Sequence, residues 1–135
     1  MSCVETYATL RVFSASLSPE VIGDRLGIQA SEIRRINPES RYKHERESNF
    51  WAWRTDGKID SNENLLHIGA ILDVLKDKAP QLESLRAAGC QIDISNYWVS
   101  SGQGGPFLEA ATIHTLSSLG LEIWWDVYFR SESET

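Results

Sequence analysis

Residues 91–129 decide the fold and read QIDISNYWVSSGQGGPFLEAATIHTLSSLGLEIWWDVYF. Their first part, Gln91–Val99, alternates apolar and polar side chains, which is typical of a strand with one buried face. After a glycine-rich turn, apolar residues recur at helical spacing as far as Gly120, a residue type that often ends helices in the left-handed conformation. The segment from Leu121 to Phe129 alternates again. The stretch therefore predicts a strand, a turn, a helix and a second strand.

The turn inside this stretch has a structural and a functional interpretation. Gly102, Gly104 and Gly105 tolerate positive φ, and we predict that Gly104 or Gly105 needs a conformation barred to β-branched residues. Pro106 suits a first helical turn, so we predict that the helix begins there, with Glu109 in its first turn. A helix N-terminus can hold an anion, but this turn lacks the lysine of a phosphate-binding loop. A purely structural turn is therefore the favoured interpretation.

Composition and net charge limit the class of protein and the kinds of partner that it can bind. The 135 residues, 41% hydrophobic and 24% charged, predict one soluble globular domain. The net charge of −6 disfavours nucleic acid and anionic membranes and favours a basic partner. Cys3 and Cys90 are too few for a disulfide framework, and no secretory signal or membrane-spanning run is visible. These features together predict a cytoplasmic protein.

The chain before residue 91 alternates between strand and helix signals. Ser18 is a good N-cap and Gly27 a good helix stop, while Asp60 and Glu63 have the spacing of a capping box. Residues 37–48 are polar and mixed in charge, which predicts a solvated loop. The predicted elements are a strand at Ala8–Ser14, a helix at Pro19–Leu26, an edge strand within Ile28–Ile36, a strand at Asn49–Thr55, a long helix from Asp60–Asn62 and a shorter one at Pro80–Ala88.

This order of elements predicts an α+β fold. We expect a mainly antiparallel sheet of four or five strands with the helices packed on it. The order strand–helix–strand–strand–helix–strand suggests a ferredoxin-like core, extended by a final helix and strand. Leu26-Gly27-Ile28 and Leu119-Gly120-Leu121 echo one another, which suggests an internal duplication of a strand–helix–strand unit.

Several of these motifs together resemble a bacterial family known as domain of unknown function 4279. The resemblance is carried by Tyr97-Trp98, by SGQGGP at 101–106, by LGLE at 119–122, and by Asp126 and Tyr128 beyond. It extends from about Thr6 to Phe129. At residues 29–37 the chain reads QASEIRRIN, where we expect family members to carry proline-threonine and lysine-glycine signals. Since the family has no established activity, the resemblance implies a fold and no function.

No catalytic or metal-binding pattern stands out. His44, His67 and His114 have no second histidine or cysteine at metal-ligand spacing, and no cofactor is predicted. Cys3 lies near the terminus and Cys90 follows a helix stop, so neither is expected to act as a nucleophile. Asp93 and Asp126 could face the same side of the sheet as an acid–base pair, although solvated surface acids are far more common.

The strand alternation predicts one polar and one apolar side of the sheet. A one-residue slip in register would exchange the two sets of side chains. The apolar side should meet the helices and comprises Leu10, Val12, Ile92, Ile94, Ile123, Trp125 and Val127. The polar side comprises Arg11, Asp93, Ser95, Tyr97, Trp124, Asp126 and Tyr128.

Trp124 decides between two interpretations of that polar side. An exposed tryptophan among charges is typical of an interface anchor, whereas a loop or the chain's own helices could instead cover it. We favour a non-catalytic protein-binding module, of the immunity or antitoxin type, that uses the polar side. The alternative is an enzyme or small-ligand binder with a pocket beside the glycine-rich turn, near Gln103.

Overall fold

The computed structural model describes residues 3–131 and has the predicted α+β class. Its strands and helices follow one another along the chain. They are β1 (Cys3–Ser14), α1 (Pro19–Leu26), β2 (Glu32–Arg34), α2 (Lys43–Glu47), β3 (Asn49–Arg54), α3 (Asn64–Leu75), α4 (Ala79–Ala87), β4 (Gln91–Ser100), α5 (Ala110–Ser118) and β5 (Glu122–Phe129).

The five strands form one mixed sheet in the order β2-β3-β1-β4-β5. β1 lies at the centre and is antiparallel to both β3 and β4, and β2 is antiparallel to β3. β4 and β5 are parallel, because α5 carries the chain back across the sheet between them. The expectation of a mainly antiparallel sheet therefore needs one correction, which is that its last pair of strands is parallel.

The two strand–helix–strand units that share the Leu-Gly signal are paired differently. β3 lies between β1 and β2, whereas β4 and β5 are direct neighbours. Both helices of these units are followed by a glycine with left-handed φ, at Gly27 and at Gly120. An internal duplication stays a prediction, since only this helix ending is common to both units.

One side of the sheet carries the hydrophobic core. Leu10, Val12 and Ile94 of the central strands are fully buried there, and the helices cover them with residues such as Ile68 and Leu82. The alternation predicted for β1, β4 and β5 is confirmed with one exception. That exception is the end of β5, where Val127 and Phe129 are exposed because this edge strand extends beyond the helical cover.

Local sequence signals predict the start of α1 correctly but not the start of α3. α1 has the predicted bounds, and the Ser18 hydroxyl accepts a hydrogen bond from the Val21 N–H at 3.2 Å. The capping box predicted at Asp60 is wrong, because α3 begins only at Asn64. The preceding residues instead form a local turn in which the Ser61 hydroxyl accepts from the Glu63 N–H at 3.0 Å.

The polar segment 37–48 contains a short helix that the loop prediction missed. None of the five residues of α2 is buried, so no pattern of hydrophobic residues predicts this helix. Ionic contacts of Glu45 hold it, since its carboxylate lies 3.0 Å from the Arg34 guanidinium and accepts from the Ser40 hydroxyl at 2.9 Å. The helix depends on these partners, because so short a helix is not stable by itself.

A buried polar network ties β1 to β3 and α3. The Thr55 hydroxyl accepts from the Ala8 N–H at 2.9 Å and lies 2.6 Å from His67 Nδ1. His67 Nε2 lies 2.8 Å from the Ser61 carbonyl, which can only accept, so Nε2 carries the proton. Both ring nitrogens of His67 therefore have partners within the protein, which is typical of a structural histidine.

Candidate functional site

The side of the sheet opposite the core forms an open face. Strand register places its residues side by side across all five strands, and α2 borders one corner through His44. The open face includes Tyr7, Thr9, Arg11, Phe13, Glu32, Arg34, Phe50, Arg54, Asp93, Ser95, Tyr97, Glu122, Trp124, Asp126 and Tyr128. All of the predicted polar-side residues are among them, which confirms their placement and leaves their binding role a prediction.

Arg11 and Asp93 form an ion pair in the middle of the open face. Two parallel hydrogen bonds join them, at 2.7 and 2.9 Å, and the guanidinium also lies 5.3 Å from the centre of the Phe13 ring. Such a bidentate pair fixes both side chains. The pair therefore presents a rigid dipole, and neither charge is free for a ligand.

Two further arginines of the open face repeat this arrangement. Arg34 lies over the Phe50 ring at 4.3 Å and pairs with Glu45. Arg54 lies over the Tyr7 ring at 4.7 Å and pairs with Asp56. Stacking on a ring and pairing with a carboxylate both restrict an arginine. The cations of this face are thus preorganised and largely neutralised.

These additional residues were missed at the sequence level for different reasons. Tyr7 precedes the predicted start of the first strand, so the predicted alternation assigns it to neither face of the sheet. Arg54 and Phe50 alternate with Trp51 and Trp53 and could have been found from that alternation. Arg34 lies on a three-residue strand, which is too short to show a period.

A row of tyrosines crosses the open face from β1 to β5. The rings of Tyr7 and Tyr97 stack with centres 5.0 Å apart, and those of Tyr97 and Tyr128 are 5.3 Å apart. The charge of Asp126, which accepts a hydrogen bond from the Tyr128 hydroxyl at 3.2 Å, raises the pKa of Tyr128. Burial raises the pKa of Tyr7. The hydroxyls of Tyr7 and Tyr128 therefore stay protonated around neutral pH.

This acid–phenol contact can be measured directly. Asp126→Asn should lower the pKa of Tyr128, because the carboxylate charge is the largest cause of its elevation. Ultraviolet difference titration or the ring carbon resonances of Tyr128 would show the shift. Asp93→Asn serves as the control, and an equal response of Tyr128 to both variants would argue against this contact.

Trp124 is the most prominent apolar residue of the open face. Its side chain is 56% exposed, whereas that of the adjacent Trp125 packs against the core. Tyr128, two positions along the same strand, is 49% exposed. Within residues 3–131 nothing covers Trp124, so the covering-loop interpretation is wrong there.

The open face is shallow. Its central depression has a volume of about 170 Å³ and is lined by residues that include Arg11, Arg34, Arg54 and Tyr97. A neighbouring depression of about 290 Å³ lies between Phe13 and α2. Sites for drug-sized ligands have volumes of roughly 300–1,000 Å³. The surface therefore suits a broad contact better than an enclosed small molecule.

The glycine-rich turn lies outside this surface. Gln103 is exposed and lines neither of these depressions. α5 starts at Ala110 with Glu109 as its N-cap, so the prediction that Pro106 begins the helix is wrong. Because non-helical residues separate the glycines from the start of α5, the turn does not form the helix N-terminus that an anion would need.

The turn needs glycine at one position. Gly104 has a φ of 132°, whereas Gly105 and Gly102 do not have positive φ, and both have open space where a Cβ would lie. Gly104→Val should lower the free energy of unfolding by about 1–3 kcal/mol, because β-branched residues are strained there. The prediction that Gly104 or Gly105 needs such a conformation is confirmed at Gly104 alone, so Gly105→Val is the matched control and should cost little. Denaturant unfolding would compare the two, and equal midpoints would contradict the assignment.

The carboxylates and thiols considered as catalytic candidates are paired or buried in the structure. Asp93 pairs with Arg11 and Asp126 bonds to Tyr128, so each of the two predicted carboxylates has its own partner. Cys3 and Cys90 are unpaired and buried, and burial raises the pKa of the Cys3 thiol. Residues 3–131 contain no cluster of three metal-binding side chains. None of their helices combines the length and apolar character that a bilayer requires.

The chain belongs to the family described as Domain of unknown function (DUF4279), whose profile matches residues 4–130. This match covers nearly all of the chain and confirms the resemblance drawn from the GQGGP and LGLE motifs. No curated protein and no solved structure matches the chain. Family membership therefore indicates a shared domain and brings no activity with it.

Proposed function

We propose that this member of a family without an assigned activity is a non-catalytic protein-binding module, and that the open face is its contact surface. The observation that carries the proposal is the exposure of Trp124 and Tyr128 at the end of the tyrosine row. Aromatic side chains provide large contact areas at a low cost in conformational entropy. A solvent-facing sheet has no need of such residues.

The arrangement of the face resembles the layout of a binding hot spot. Tryptophan, tyrosine and arginine contribute most to protein interfaces when their neighbours exclude water. Here Trp124 and Tyr128 offer the apolar contact, and the paired Arg11 and Asp93 are already held rigid. A preorganised surface loses little side-chain freedom on binding.

We propose that the partner is a protein with a basic contact surface. The support is the net charge of −6 and the exposed Asp126 beside the two exposed aromatics. Opposite charges at an interface accelerate association and select the partner. An acidic domain that covers a basic surface would suit an immunity- or antitoxin-like role in a reducing cytoplasm, and the two unpaired cysteines agree with that compartment.

A capture experiment tests this proposal. Tagged chain is used to recover partners from the cells that produce it, in parallel with Asp126→Lys. The charge reversal should abolish recovery of the specific partner. The control is Asp24→Lys on the exposed side of α1, which should recover the partner like the unchanged chain. Equal recovery with Asp126→Lys would contradict the proposal.

A second candidate is a small-ligand binder or an enzyme that uses the central depression. The observation in its favour is that Arg11, Arg34 and Arg54 converge on that depression. Their pairing with acids and its volume of about 170 Å³ weigh against it. A fragment screen by nuclear magnetic resonance separates the candidates, because only this one predicts saturable shifts that Arg34→Ala removes.

We further infer that the first four strands form a ferredoxin-like core, which α5 and β5 extend. In support, β3 lies between β1 and β2, as in a split βαβ unit, and neighbouring strands are antiparallel throughout β2-β3-β1-β4. In this arrangement the helices leave one side of the sheet open, which is the side proposed for binding.

A further inference from the structure

β5 is an edge strand of unusual character. No strand within residues 3–131 pairs with its outer edge. It is eight residues long, and apolar side chains are exposed on both of its sides, with Trp124 and Tyr128 on the open face and Val127 and Phe129 on the other. Folded proteins usually shorten, charge or cover such edges, because unpaired strands bind other strands.

The opposite edge of the sheet shows that protection. β2 has only three residues, and Glu32 and Arg34 carry charges on its open-face side. Arg34 additionally pairs with Glu45 of α2, which borders this edge. The contrast between the two edges points to pairing at β5 and not at β2.

We propose that β5 pairs antiparallel with β5 of a second copy of the chain. The product is one continuous sheet of ten strands, five from each copy. A two-fold axis perpendicular to the sheet would relate the copies and keep both open faces on one side. Residues that lie opposite each other must then be on the same face of the sheet. The two-fold axis must therefore pass through a residue of β5, because an axis between two residues would pair side chains of opposite faces.

Charge and strand length together select the register. Centring the pair on Asp126 or on Trp124 would place carboxylates directly opposite each other, which is unfavourable. Centring it on Val127 would leave Glu122–Trp124 without partners in the second β5. Centring it on Trp125 places Glu122 opposite Tyr128 of the second copy, and Trp124 opposite its Asp126. Each carboxylate then faces an aromatic ring and not a second carboxylate.

The other side of the strand fits the same register. Ile123 lies opposite Val127 of the second copy, and the two Trp125 residues meet at the axis. Every pair on this side is apolar, and pairs of β-branched and aromatic residues stabilise antiparallel strands. The β5 sequence is therefore self-complementary on both faces, which favours a second copy over an unrelated strand.

Net charge gives the proposed dimer a distinctive salt dependence. Each copy carries a formal charge of −6, so two copies repel at long range. Added salt screens this repulsion and should strengthen the dimer. A complex with a basic partner protein should respond in the opposite direction, which separates this proposal from the proposed function.

Analytical ultracentrifugation of the purified chain tests the dimer. Sedimentation from low to high micromolar concentration should show a monomer–dimer equilibrium that shifts toward dimer with salt. Val127→Lys should remove the dimer, because it places an ammonium group opposite Ile123 of the second copy. Leu66→Lys on α3, where the side chain is also exposed, is the control and should leave the dimer intact. A monomer at every concentration, or a dimer insensitive to Val127→Lys, overturns the proposal.

Disulfide trapping tests the register. Under mild oxidation, a mixture of Glu122→Cys and Tyr128→Cys chains should form the mixed disulfide dimer. Asp126→Cys alone should give little product, because its thiols lie apart in the register centred on Trp125. Efficient self-linking of Asp126→Cys overturns this register. Circular dichroism of each variant confirms that the fold is retained before trapping.

Discussion

Thr55→Val should lower the free energy of unfolding by about 2–4 kcal/mol, since each buried group left unpaired costs about 1–3 kcal/mol. The substitution keeps the shape of a fully buried side chain and removes its hydroxyl. The Ala8 N–H then has no acceptor and His67 Nδ1 loses its hydrogen-bond partner. The loss therefore measures the polar network that joins β1, β3 and α3 beneath the open face.

Thr9→Val is the matched control for this experiment. Thr9 lies on the same strand as Ala8 but is only half-buried, on the open face. Surface substitutions of this kind usually change stability by less than about 0.5 kcal/mol. Urea unfolding of both variants, followed by circular dichroism, gives the comparison. Equal midpoints for the two variants would mean that the network contributes nothing.

Trp124→Ala should weaken binding of the partner by about 2 kcal/mol or more, which is roughly a thirtyfold change in Kd. The side chain is 56% exposed in the free protein, so its truncation leaves no cavity in the core. Stability should accordingly change by less than about 0.5 kcal/mol. A large loss of affinity without loss of stability is characteristic of an interface anchor.

The control for Trp124 is another exposed aromatic residue. Phe107 is 69% exposed and lies between the glycine-rich turn and α5, outside the open face. Phe107→Ala should bind the partner like the unchanged chain. Titration calorimetry with the captured partner gives both values, and similar losses for the two variants would remove the special role of Trp124.

The division of the sheet into two faces could be predicted from the sequence. Period-two alternation is a local property, and β1, β4 and β5 are long enough to display it. Alternation could not establish the exposure of Trp124, because it assigns a face and does not say what covers that face. In the structure Trp124 is 56% exposed, and α2, the helix that borders the open face, lies at the corner near Phe13 and Arg34.

Other features depend on contacts distant in sequence. α3 starts at Asn64, whose buried side chain donates hydrogen bonds to Thr6 and Asn96 on two strands. No capping pattern in the sequence predicts this start. α5 starts late because residues 101–109 first leave the end of β4. The stacking of Arg34 and Arg54 on aromatic rings likewise follows from strand pairing, which single-sequence patterns do not reveal.

Hydroxyl-radical footprinting of the complex tests the open face most directly. The captured partner should protect Trp124 and Tyr128 from oxidation and leave Phe107 as reactive as in the free chain. Both kinds of residue are exposed in the free chain, so each can report a change. Unchanged oxidation of Trp124 and Tyr128 in a saturated complex would contradict the assignment of the open face as the binding surface.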